Sequence, residues 1–165
     1  MEKNIRRAVI EDLPCIMGIY AHAREFMASH GNPRQWGPTN WPPESLIRQD
    51  IENETCYVCE TQSHVVGVFY YDYGRNVETG YLHIEGQWKK DTPYGVVHRI
   101  ASDGSTKGVG TFCINWAYDK CHHLRMDTHP DNIVMQNLLT KLGFEKCGII
   151  HVQEDNDPRY AYEKL

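Results

Sequence analysis

The chain has no long hydrophobic run. Its longest apolar stretches, such as Val65 to Tyr71, fall far short of the roughly 20 residues a membrane helix needs. The first residues, Met1-Glu2-Lys3-Asn4-Ile5, turn charged at once and lack the apolar core of a secretory signal. A cytoplasmic location is the expectation. Positive charge is in short supply: 17 Lys and Arg against 22 Asp and Glu give a formal net charge of −5. That argues against a phosphate-backbone binder, which needs a clustered basic face. It suits a cationic partner such as an amine, and equally suits plain solubility. No nucleic acid and no membrane partner is expected. No internal repeat, low-complexity tract or composition break divides the 165 residues. One domain spanning 1–165 is expected. A domain of that size buries roughly 70% of its unfolded surface and needs no staples. The sequence does not fix the oligomeric state and is compatible with a homodimer.

Cysteine, in contrast, is not scarce. There are six: Cys15, Cys56, Cys59, Cys113, Cys121 and Cys147. Without a secretory signal, free thiols are expected rather than disulfides. Cys56-Tyr57-Val58-Cys59 has the C-x-x-C spacing of a metal or redox pair. It lies in a strand-like stretch, Thr55 to Glu60, where residues i and i+3 point to opposite faces. The two thiols are therefore not expected to converge on one metal. His122 and His123 beside Cys121 are a weaker hint of the same kind. A thiol or zinc protein remains a third reading, and no metal site is expected.

Ile5 to Val9 reads as a first strand. Leu13, Ile16, Ile19, Tyr20, Ala23, Phe26 and Met27 then recur at helical spacing and form one core stripe. Gly31 to Pro43 is rich in Gly, Pro, Asn and Trp and cannot be regular structure. Pro43-Glu44-Ser45 opens a second helix to about Glu52. Cys56 to Thr61 and Val65 to Tyr73 read as strands joined by a tight turn at Gln62-Ser63-His64. Tyr81 to Ile84 and Val96 to Ser102 also read as strands. Gly108 begins a helix whose apolar face is Val109, Phe112, Cys113, Trp116 and Ala117. His123 to Thr128 is a short strand. Asn132 suits the cap of a helix carrying Met135, Leu138, Leu139 and Leu142. Gly143 follows where a left-handed residue belongs. Phe144 to Val152 and Arg159 to Leu165 close the chain as strands. The expected class is α/β (α+β), a mixed sheet with helices on its faces.

The most informative segment runs from Val96 to Gly110. A β-branched strand enters a turn rich in Gly, Ser and Thr, and the turn enters an amphipathic helix. The first N–H groups of a helix have no internal partners, and with the dipole they make an anion site. Gly108 and Gly110 let a phosphate approach the backbone, and Lys107 adds positive charge. A Walker loop is excluded because Lys107 precedes Gly108. The dinucleotide fingerprint is excluded because Gly104, Gly108 and Gly110 do not fit its spacing.

This strand-turn-helix resembles the pyrophosphate-binding motif of the GNAT acetyltransferases, [QR]-x-x-G-x-[GA], here Ser105-Thr106-Lys107-Gly108-Val109-Gly110. The segment from Asn132 to Phe144 resembles the family's N-x-x-A-x-x-L-Y-x-K-x-G-F helix. The resemblance covers essentially the whole chain. It implies a mostly antiparallel sheet with helices on both faces. The family's fourth and fifth strands splay, here Val96 to Ser102 and His123 to Thr128. It implies acetyl-CoA as co-substrate, with the pantetheine arm in the gap against the backbone of Ile100, Ala101 and Ser102. The amides of Thr106, Lys107, Gly108, Val109, Gly110 and Thr111 would hold the pyrophosphate. Asn132 would meet the pantetheine. It implies direct acetyl transfer to an amine of a small molecule or peptide. Two positions depart from the family. Ser105 replaces Gln or Arg, and Leu139 replaces the tyrosine that protonates the leaving thiolate. The second departure keeps open a catalytically silent acyl-CoA-binding sensor or interaction domain.

An ammonium has no lone pair, so amine attack needs a base. His98 is the first candidate, on the strand that would line the thioester. By alternation it should share a face with Val96 and Ile100. Glu85 and His83 are alternatives, as is His129. A backbone N–H near Ile100 would serve the developing oxyanion. Trp36, Trp41, Tyr71 and Tyr73 are candidate walls of the acceptor pocket, because aromatic faces hold cationic amines.

Overall fold

The computed structural model describes residues 2–152 and 155–165. The strands are β1 (Asn4–Arg7), β2 (Cys56–Thr61), β3 (His64–Gly74), β4 (Glu85–Gly86), β5 (Tyr94–Ser102), β6 (Leu124–Thr128), β7 (Glu145–His151) and β8 (Pro158–Lys164). The helices are α1 (Leu13–Ser29), α2 (Glu44–Glu52), α3 (Val109–Cys121) and α4 (Ile133–Lys141). Among the described residues the eight strands form one sheet in the order β1-β2-β3-β5-β6-β8-β7-β4. Every pairing is antiparallel except β5 with β6. No described helix is long and apolar enough to cross a membrane.

Two apolar layers hold the helices to the sheet. On one face Leu13, Ile16, Ile19, Tyr20 and Ala23 of α1 and Ile47 of α2 pack with Cys56, Val58 and Val68. On the other, Val109, Cys113, Ile114 and Ala117 of α3 and Leu139 of α4 pack with Cys59, Phe69 and Met126. Each of the buried Leu, Ile, Val, Phe and Met side chains contributes about 1.5–3 kcal/mol of burial. Strand alternation thus sends Cys56 to one core and Cys59 to the other, as their spacing predicts. Gln62 and Ser63 turn the β2–β3 hairpin with φ of 51° and 64°, and His64 already belongs to β3.

Three elements differ from the sequence reading. Tyr81 to Ile84 is not a strand. Thr79–His83 forms a 3-10 turn, begun by Glu78, whose carboxylate accepts the Gly80 N–H at 3.0 Å. The strand that follows is only the two-residue β4. Phe26 lies off the core stripe. It is 42% exposed and stacks on His30 with ring centroids 3.9 Å apart. Finally, β5 does not alternate throughout. Arg99 and Ile100 together oppose the single residue Phe69, and Arg99 takes φ 51°. That bulge sends Ile100 to the α3 side with Val97, away from the face of His98.

Candidate active site

Strands β5 and β6 pair only at Gly95–Leu124 and Val96–Arg125. Beyond Val96 they part, and the β6-facing edge of β5 has no strand partner. A cavity of about 590 Å³ opens at this gap. Val97, Ile100, Met126 and Thr128 line it from the two strands, with Trp36 and Trp41 from the 31–43 loop. A second, mostly apolar groove of about 260 Å³ runs between α1, β5 and α4, past Ile100, Ser102, Gly110 and Asn132.

The groove ends at the start of α3. Gly108 caps that helix with φ 76°, a left-handed conformation that side chains rarely adopt. Nothing crowds it: the nearest atom to a Cβ built there would be Lys3 Nζ at 4.0 Å. Open space, free helical N–H groups and a nearby ammonium suit a pyrophosphate. Lys3 was invisible to the motif, because only the fold brings the N-terminus to this turn. Ser105 does not replace the family's Gln or Arg contact. Its N–H and hydroxyl both donate to Asp103 Oδ1, at 2.9 and 2.6 Å. At α4 the Asn132 side chain accepts the Met135 N–H at 3.0 Å, the expected cap. Gly143 has the expected left-handed φ of 93°.

Leu139 is fully buried among the α3–α4 core. A tyrosine at this position would have to displace packed side chains. Leu139→Tyr is expected to lose about 1–3 kcal/mol of stability, read as a lower urea midpoint at unchanged slope.

His98 faces the larger cavity and is not a core histidine. Its Nε2 lies 2.8 Å from Glu78 Oε2. Its Nδ1 lies 3.7 Å from Asp127 Oδ2. The Tyr81 hydroxyl donates to the same Asp127 oxygen at 2.7 Å. A carboxylate only accepts, so the neutral imidazole carries its proton on Nε2, toward Glu78. The Nδ1 lone pair is then left facing Asp127. Glu78 and Asp127 escaped the sequence reading. Glu78 sits in an irregular segment 20 positions away, and Asp127 looks like an ordinary alternating strand residue.

Burial pushes the Glu78 carboxyl up. The hydrogen bond and charge of His98, aided by the Gly80 N–H, outweigh that and hold it below the usual range. A carboxyl lowered on folding stabilises the fold above its unfolded pKa of about 4.3. The contribution disappears as pH falls through the lowered value. Glu78→Gln is therefore expected to lower the melting temperature at neutral pH and not at strongly acid pH. Thermal unfolding of both proteins across pH checks this. An equal deficit at every pH would contradict it.

The other expected site residues are dispersed. Glu85 is exposed on β4 and pairs with the exposed His151, Nε2 to Oε2 at 2.9 Å. It does not line the cavity, whereas His83 does. His129 is buried and committed: Nε2 meets Asp157 at 2.8 Å and Nδ1 accepts the Asp131 N–H. Tyr71 packs beneath α3 against Trp116, centroids 5.6 Å apart, on the side of the sheet away from His98. Its neighbour Tyr70 faces His98 instead, at 5.8 Å. Tyr73 is exposed. Trp36 and Trp41 do line the cavity, and Trp36 meets Tyr20 edge-on at 5.7 Å.

A mixed sheet that splays at its one parallel pair, beside a glycine-started helix, defines the class: this is the fold of the GNAT acetyltransferases. No family model and no curated relative matches the sequence. Solved structures do match. A GNAT-family acetyltransferase from Streptococcus agalactiae 2603 is 28% identical, with TM-score 0.87 over 99% of this chain and 95% of its own. One from Listeria monocytogenes 4b F2365 is 18% identical, with TM-score 0.68 over 99% and 95%. The ribosomal-protein-S18-alanine N-acetyltransferase of Escherichia coli is 14% identical, with TM-score 0.64 over 99% and 93%. The chain is a GNAT-superfamily protein in fold.

Proposed function

We propose that the protein is an acetyl-CoA-dependent N-acetyltransferase acting on a primary amine of a small molecule or peptide. The observation that carries this reading is His98, held between Glu78 and Asp127 at the open end of the splayed strands. Acetyl-CoA would supply the activated acetyl thioester. The amides from Thr106 to Thr111, in the turn before α3 and its first residues, and the β5 backbone at Ile100, Ala101 and Ser102 would hold it.

The chain's own groups then have defined tasks. Asp127 attracts the incoming ammonium and orients it toward His98 Nδ1. His98 removes its proton, and the free amine gains a lone pair. The resulting imidazolium lies between two carboxylates, which stabilise it. The bulge at Arg99 sets the β5 backbone out of register with β3 where a developing oxyanion would need an N–H donor. Arg99 itself is spent elsewhere: its guanidinium meets Asp50 at 2.7 Å, and its carbonyl accepts the Tyr20 hydroxyl at 2.8 Å. Around His98 the carboxylates outnumber unpaired cations, which favours a cationic acceptor over an acidic one.

The Trp36 and Trp41 faces supply apolar and cation–π surface for that acceptor. Trp41→Ala is expected to raise KM for the amine several-fold, by about 0.5–2 kcal/mol of lost contact, with KM for acetyl-CoA unchanged. Steady-state kinetics with each substrate varied in turn checks it. The function itself is tested by thiol release from acetyl-CoA with a panel of primary amines. Release that depends on an amine supports the reading. Tight coenzyme A binding with no release for any amine would favour a silent acyl-CoA-binding domain.

A further inference from the structure

Of the described residues lining the apolar groove, Asn32 has a buried side-chain atom with no partner, and the identity of that atom can be deduced. The Met135 N–H is a backbone donor, so the Asn132 oxygen must be the atom that accepts it. Asn132 Nδ2 is then a donor, and it meets Gln35 Oε1 at 3.0 Å. Gln35 therefore presents oxygen, and the second amide on that oxygen, Asn32 Nδ2 at 2.9 Å, is also a donor. The orientation of all three carboxamides follows from one helix cap. Asn32 is left with its Oδ1 buried and unpaired. Asn32 is only 2% exposed and lines the groove with Met27, Ile100 and Asn132.

An unpaired buried carbonyl costs about 1–3 kcal/mol. It calls for an N–H donor entering the groove. We infer that Asn32 Oδ1 receives an amide N–H of the pantetheine arm of acetyl-CoA. The inference rests on the acetyl-CoA reading above. The pantetheine arm is an apolar chain carrying two secondary amides, which matches a mostly apolar groove with a buried, unpaired acceptor in its wall. Neither family motif contains Asn32. It lies at the root of the 31–43 loop, which also carries Trp36 and Trp41. The Asn32–Gln35–Asn132 chain thus joins the root of the acceptor loop to the capped end of α4.

Calorimetry with two probes tests this: coenzyme A, and adenosine 3′,5′-bisphosphate, which lacks the pantetheine. Asn32→Leu removes the acceptor at similar volume. It is expected to weaken coenzyme A binding about tenfold and to leave the bisphosphate unchanged. Unchanged affinity for both probes overturns the inference, as does an equal partial loss for both, because the effect then does not come from the arm. If the leucine variant binds neither probe, Asn32→Asp decides, since it keeps an oxygen acceptor. Wild-type affinity for coenzyme A then supports the inference, and a loss confined to coenzyme A overturns it. Wild-type protein that fails to bind coenzyme A removes the acetyltransferase reading itself, a result separate from any of these.

Discussion

Replacing His98 by glutamine is expected to slow acetyl transfer by about a hundred- to ten-thousand-fold, with acetyl-CoA affinity unchanged. The size of the effect follows from its position. His98 is the imidazole at the gap, and Glu78 at 2.8 Å sets the tautomer of its neutral form. Glutamine keeps a polar group of similar reach but cannot take a proton near neutral pH. The loss should therefore fall on kcat. It should shrink as pH rises, because a larger share of the amine is then already deprotonated in solution. Glu85→Gln is the control. It removes the other carboxylate that the sequence nominated, and it should leave the rate alone, because Glu85 is exposed, pairs with His151 at the cavity rim and does not itself line the cavity. A rate that falls with Glu85 and survives without His98 would reverse the assignment. Rates measured with both variants across pH decide between the two.

The second large effect is at the start of α3. Gly108→Glu is expected to abolish detectable acetyl-CoA binding. Two causes act together. A glutamate places a negative charge where the pyrophosphate would lie, and like charges in contact cost several kcal/mol when partly desolvated. The position also has φ 76°, so any side chain is strained there. Gly108→Ala separates the causes, since it carries the strain without the charge. It should weaken binding less than the glutamate does. Calorimetric titration of the three proteins checks the order. Equal losses in alanine and glutamate variants would mean that backbone conformation, rather than charge, governs the site.

Much of the architecture was legible because it depends on local rules. Asn132 caps α4, Gly143 takes a left-handed conformation and Gly108 starts α3, each as its residue type requires. The opposed faces of Cys56 and Cys59 follow from strand period alone. What failed depended on long-range geometry. Tyr81 to Ile84 has strand-like residues, yet the Glu78 carboxylate holds the chain at Gly80 in a 3-10 turn. Alternation along β5 correctly set His98 on the face of Val96, and then the bulge at Arg99 turned Ile100 the other way. Tyr71 was expected at the acceptor pocket, but the strand's period sends it under α3 and gives Tyr70 the place beside His98. Phe26 continues the spacing of the α1 stripe, but near the helix end it faces the groove and stacks on His30. The partners of His98 could not be read from the sequence at all. Glu78 and Asp127 come from separate segments and carry no motif, and only folding brings them to one imidazole.

We propose that this chain transfers an acetyl group to an amine with His98 as base. The most direct test is mass spectrometry of a primary-amine mixture incubated with acetyl-CoA and either wild-type protein or the His98→Gln variant. Wild type is expected to add one acetyl group to at least one amine of the mixture, and the variant to add it far more slowly. Acetylation at equal rates by both proteins would contradict the assignment of His98. No acetylated amine from wild-type protein that binds acetyl-CoA would contradict the transferase itself.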